Sequence, residues 1–147
     1  MVNQLHMRFR SVAENVGLAR LSVAHMAARA GFSLSDIEEI KVAVSEAVSN
    51  AVIHGYGNRT DGWVAVECSV EGPELTVSVE DWGVGIKDVA EARQPEYSSD
   101  PERMGLGFVF MESFMNQVTV RSQVDRGTRV EMSRTFAMQE VLSGDAQ

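Results

Sequence analysis

A chain of 147 residues, 44% apolar and 23% charged, has the make-up of one globular domain that can bury a core without disulfide or metal staples. Thirteen Lys and Arg against twenty-one Asp and Glu leave a net charge of −8, and no Lys/Arg run of any length appears, which disfavours direct nucleic-acid binding. Cys68 is the only cysteine, excluding an internal disulfide and C-x-x-C chemistry, and no apolar run reaches signal-peptide or membrane-spanning length, so a cytoplasmic protein is expected.

Leu5, Met7 and Phe9 alternate with His6, Arg8 and Arg10, the period of a strand with one buried face. Ser11-Val-Ala-Glu14 reads as a capping box that opens a helix through about Ala30, stopped at Gly31. A second box, Ser35-Asp-Ile-Glu38, opens a longer helix reaching about His54, with an apolar stripe of Ile37, Ile40, Val44, Ala47, Val48 and Ala51. Gly55 is its expected terminator. Strands follow at 63–70 and 75–80, joined across Glu71-Gly-Pro-Glu74. Residues 81–104 then turn irregular, long enough for a ligand lid. A third helix is predicted from about Leu106 to Met115, and a last hairpin pairs 118–122 with 128–134. The order β-α-α-β-β-loop-α-β-β predicts a two-layer α+β sandwich over residues 1–136, with 137–147 a loosely ordered tail.

Several residue groups can carry chemistry. Glu46, Asn50 and His54 recur every four residues and line one face of the long helix. A carboxylate one turn from an amide suits a base beside a Mg²⁺ ligand, though the solvated side of an amphipathic helix looks the same. Asp81-x-Gly83-x-Gly85 follows directly on a strand. Its glycines let backbone approach a ligand, and Asp81 can accept from the exocyclic amine of adenine; an ordinary Asp/Gly turn is the plainer alternative. Gly105-Leu106-Gly107 opens a helix, where free N–H groups favour phosphate, unless the glycines merely end a loop. Gly127-Thr128 starts the last strand with a hydroxyl suited to a phosphate oxygen. Neither a Rossmann fingerprint nor a P-loop is present.

Taken together and in this order, these motifs resemble the GHKL (Bergerat-fold) ATP-binding superfamily. The stretches EAVSNAVIHGYG (46–57), EARQPEYS (91–98) and GLGFVFMESFM (105–115) narrow the resemblance to bacterial anti-sigma-factor serine kinases, most closely the sporulation anti-sigma F type. The resemblance implies ATP and Mg²⁺ as cofactors, Asn50 as metal ligand and Glu46 as general base. It implies Asp81 at adenine, with Gly83 and Gly85 shaping that pocket. Gly105, Leu106, Gly107 and Thr128 fall beside the phosphates, and His54 falls with the cofactor-facing residues. Arg103 is implied at the γ-phosphate or incoming substrate. Arg20 matches a partner-facing arginine, its alternative being a solvated helix charge. The chain departs from the family pattern at Trp82, where a polar residue is usual.

The implied function is sequestration of a sigma factor together with ATP-dependent phosphorylation of a serine on a STAS-type anti-anti-sigma protein. A homodimer, with no direct nucleic-acid or membrane contact, is implied as well. Three alternatives share the motifs: a general-stress-response switch kinase, a nucleotide-gated module without catalysis, and a detached histidine-kinase catalytic domain. The last is disfavoured because no helical hairpin carrying a phosphoacceptor histidine precedes the ATP motifs.

Overall fold

The alternation in the first ten residues forms β1 (Val2–Arg10), whose Phe9 is buried and whose Leu5 and Met7 pack against the core. In the computed structural model, which describes residues 2–94 and 104–136, β1 is followed by α1 (Glu14–Ala30) and α2 (Leu34–Asn50). A π-helical turn, Ala51–Gly55, continues α2. Then come β2 (Trp63–Glu71), β3 (Glu74–Asp81), a short α3 (Val89–Ala92), α4 (Met104–Phe114), β4 (Gln117–Gln123) and β5 (Gly127–Thr135). The strands form one antiparallel sheet in the order β1-β2-β3-β5-β4. Ile40, Val44 and Val48 of α2 meet Val64, Val77 and Met132 of the sheet, all 0% exposed, so the core lies between the helices and one sheet face.

Chain order and strand bounds agree with the sequence reading to within a few residues; both capping boxes do not. Ser11 is 1% exposed, and its hydroxyl donates to Arg59 O at 2.6 Å and accepts from Gly62 N at 3.1 Å. It ties the entry of α1 to the entry of β2, and the N-cap of α1 is Ala13, without a side-chain bond. For α2 the cap is Ser33 rather than Ser35. Its extended backbone (φ −68°, ψ 161°) lets its hydroxyl accept from Asp36 N at 3.1 Å. The long helix is α-helical only to Asn50; in the next turn Tyr56 N donates to Ala51 O, five residues back. Within the segment read as irregular, Asp88 accepts from Glu91 N at 3.0 Å and caps α3. The rest of the expected lid, residues 95–103, and the tail, 137–147, lie outside the described residues.

Arg134 pins the two layers together. From β5 its guanidinium donates to Asp36 at 2.5 Å and Glu39 at 2.7 Å near the start of α2, and to Phe114 O at 2.6 Å at the end of α4. Because β5 lies beside β3, the start of one strand and the end of the other, Thr128 and Asp81, become direct neighbours. That adjacency builds the site.

Candidate functional site

Between the end of α2, α4 and the Asp81/Thr128 end of the sheet lies a small cleft. Asn50, His54, Asp81, Gly85 and Thr128 line it, and Phe108 and Val79 supply apolar wall. Met104 faces this space as well.

Asp81 is the last residue of β3 and only 6% exposed. Its Oδ1 accepts from Gly83 N at 2.9 Å, and the Thr128 backbone N–H also donates to the carboxylate. Burial nevertheless wins: desolvation pushes its pKa up to about 6 against those two hydrogen bonds, with a further upward push from the Glu80 charge. A buried carboxylate with spare acceptor capacity and apolar walls is suited to reading a donor on a flat, apolar ligand.

The glycines around Asp81 are sterically required. A Cβ on Gly83 would overlap the carbonyl oxygen of Gly55, and one on Gly55 would stand 2.9 Å from the Asp81 carboxyl carbon. Gly85 has φ +75° and would drive a side chain into the Gln123 carbonyl. Val84 N donates to Gly55 O at 2.9 Å, so the loop after β3 is laced to the π-helical turn. Gly55 and Tyr56 are thus residues that shape the site, whereas sequence reading treated Gly55 as a helix terminator and Tyr56 only as part of the stretch 46–57 that carries the family resemblance.

On the opposite wall, α4 is described from Met104 onward, so Gly105 and Gly107 lie within the helix rather than before it. A Cβ on Gly107 would lie 3.0 Å from Glu46 Oε1 and 3.4 Å from Asn50 Nδ2, so α4 closes directly over the Glu46/Asn50 face of α2. Burial raises the Glu46 pKa. Asn50 Nδ2 is buried and has no hydrogen-bond partner among the described residues. A buried polar atom left unpaired is destabilising unless a ligand completes it, which marks Asn50 as facing a site rather than solvent. Among the described residues no group of three His, Cys, Asp or Glu could hold a metal. The Asn50 amide oxygen suits a hard cation that takes its other ligands from phosphates and water, with Glu46 one turn away left as a proton acceptor.

The remaining expectations divide. Thr128 faces the cleft with its hydroxyl 2.8 Å from Ser122 Oγ. Glu46, Gly83, Gly105, Leu106 and Gly107 are not among the residues lining the cleft. Trp82 is 49% exposed, with Arg8 5.9 Å from its ring centroid, so it stands outside the pocket and does not cover it. Arg20 lies on α1 outside the cleft and donates to Ser45 Oγ on α2 at 3.2 Å, which makes it a held charge rather than a freely solvated one. Arg103 lies outside the described residues. No described helix is long and apolar enough to cross a membrane.

Residues 9–134 match the family described as "Histidine kinase-like ATPase domain". The anti-sigma F factor of Geobacillus kaustophilus is 42% identical over 144 residues, covering 97% of this chain and 99% of the relative. The anti-sigma F factor of Clostridium novyi is 42% identical over 134 residues, covering 90% and 94%. The chain belongs to the anti-sigma F factor branch of the histidine-kinase-like ATPase family. Among solved structures, the RsbU and RsbW domains of a Mycobacterium tuberculosis protein superpose with a TM-score of 0.66 at 23% identity, over 90% of this chain and 32% of that one. The blue-light activated histidine kinase of Erythrobacter litoralis does so at 0.57 and 22%, over 88% and 43%. These two likenesses bear on fold alone, and they agree with the α+β two-layer sandwich expected of the GHKL fold.

Proposed function

We propose that this chain is a cytoplasmic anti-sigma factor and ATP-dependent protein-serine kinase. It sequesters a sigma factor of the sporulation F type and phosphorylates a serine on a STAS-type anti-anti-sigma protein, acting as a homodimer. The observation that carries the reading is one cleft lined by both the buried carboxylate Asp81 and Asn50, with Glu46 beside Asn50 under Gly107 of α4. The relatives named anti-sigma F factor at about 40% identity support the regulatory half.

In this reading Asp81 accepts from the adenine amine, and Gly83 and Gly85 let backbone close around the base. The phosphates extend toward the first turn of α4, where Gly105, Leu106 and Gly107 present helix N-terminal N–H groups, with Thr128 and His54 facing the same space. Mg²⁺, when bound, neutralises phosphate charge, with Asn50 supplying its protein ligand. Glu46, its proton affinity raised by burial, orients the serine hydroxyl and takes its proton. Arg103, next to the start of α4, is assigned to the transferring phosphoryl group. Arg20, held against α2 outside the cleft, is assigned to a protein partner.

The test is incubation with labelled ATP, Mg²⁺ and a STAS-type partner. Acid-stable phosphoserine on the partner is the expected product. Nucleotide binding without transfer would leave a nucleotide-gated sigma-binding module, and acid-labile phosphate would indicate phosphohistidine instead.

A further inference from the structure

The β3 ladder ends at Asp81: its last pairings are Val64 with Asp81 on one side and Asp81 with Thr128 on the other. The next backbone amide, Trp82 N, has no strand carbonyl to donate to and instead donates to the Tyr56 hydroxyl at 2.8 Å. That hydroxyl donates in turn to Trp63 O at 2.6 Å, at the start of β2. Tyr56 is 5% exposed, and its ring packs so closely on Gly62 that a Cβ there would lie 2.5 Å from it. One residue earlier, Gly55 lies against the Asp81 carboxylate and accepts from Val84 N. The end of the π-helical turn and the Tyr56 that follows it therefore grip the chain at Val84 and Trp82, just beyond the carboxylate.

We propose that Tyr56 is a positioning residue for nucleotide-base recognition: its hydroxyl replaces the missing ladder bond after Asp81 and holds that carboxylate where it reads an exocyclic amine. This rests on the reading of Asp81 as the adenine acceptor. Tyr56 is not among the residues lining the cleft, so its effect passes through the Trp82 backbone. Removing the hydroxyl leaves the Trp82 N–H without this acceptor and the Trp63 carbonyl without this donor, and the strand end is free to shift.

The experiment compares the full chain with its Tyr56→Phe variant, measuring affinity for ATP and for inosine triphosphate, which lacks the amine, by calorimetry. Exchange of the Trp82 backbone amide is followed by NMR. Tyr56→Phe should weaken ATP binding about three- to tenfold, leave inosine triphosphate unchanged and abolish protection of the Trp82 amide. In phosphoryl transfer, KM for ATP should rise while kcat at saturating ATP holds. In an Asp81→Ala background the same change should have no further effect on ATP affinity. An equal loss for both nucleotides, or a persisting loss in that background, makes Tyr56 a purely structural residue and overturns the proposal. A wild-type chain that binds both nucleotides equally refutes the Asp81 reading before any variant is made, and the proposal falls with it. If Tyr56→Phe fails to fold, Gly62→Ala displaces the same ring from its other side and should give the same selective loss; equal losses from it overturn the proposal equally.

Discussion

Asp81→Asn should uncouple stability from binding in a way that depends on pH. A carboxyl moved from its ordinary 3.8 to about 6 by burial has its ionised form disfavoured by about 3 kcal/mol in the folded state. Because the folded pKa lies above the unfolded one, the native state binds more protons than the unfolded state between those values. The associated stability is fully present below 3.8 and is lost as pH rises through about 6. Asparagine keeps the shape and an acceptor for Gly83 N but has no titration. The hydrogen-bond terms that differ between the side chains are constant with pH, so they cancel when two pH values are compared. Between about pH 4 and pH 8 the variant should therefore gain about 2–3 kcal/mol relative to wild type, or about 5–10 °C in melting temperature for a chain of this size. Over the same range, ATP affinity of the wild type should rise as Asp81 ionises. The variant should bind ATP about 10- to 100-fold more weakly near neutral pH, having lost a charged acceptor. Paired calorimetric melts and titrations measure both. A stability difference that stays flat with pH, or that moves against the variant as pH rises, would refute the desolvated-carboxylate argument.

Three further outcomes follow from other parts of the molecule. Glu46→Gln keeps the side-chain shape and removes the proton acceptor, so nucleotide affinity should hold while transfer to the STAS partner drops about 10²–10⁴-fold in single-turnover assays; a wild-type rate would return Glu46 to a mere helix-surface role. Gly83→Ala forces a methyl group onto the Gly55 carbonyl and should cost about 1–3 kcal/mol in urea denaturation, with loss of ATP binding. Arg134→Ala strands Asp36 and Glu39 beside each other at the start of α2 and should destabilise by about 2 kcal/mol, a value reduced from fully buried pairs because these groups keep some solvent. ATP affinity measured on the folded fraction should not change, since none of the three residues lines the cleft.

What could be read from the chain alone was local periodicity and the order of its motifs. The apolar stripe of α2 became the core it promised, and Asp81, Gly83 and Gly85, singly no more than an Asp/Gly turn, gained weight only from standing between the Glu46/Asn50 and Gly105/Gly107 motifs. Ser11 and Ser35 failed because a capping box records only what a serine can do next to a helix. Ser11 found partners 48 and 51 residues away, at Arg59 and Gly62, and Ser33 had the extended backbone that a cap needs. The start of α4 was placed too late for a related reason. Glycines lower helix propensity, yet Gly107 lies within α4, packed so close to α2 that a Cβ would stand 3.0 Å from Glu46 Oε1 and 3.4 Å from Asn50 Nδ2. The π-helical turn is harder still, since five residues are too few to separate its period from that of an α-helix. Yet that turn puts Gly55 under the Asp81 carboxylate and the Tyr56 hydroxyl at the Trp82 amide. The residues hardest to see in the sequence are those whose partners are backbone groups brought near only by the fold, and around Asp81 such backbone contacts set the geometry.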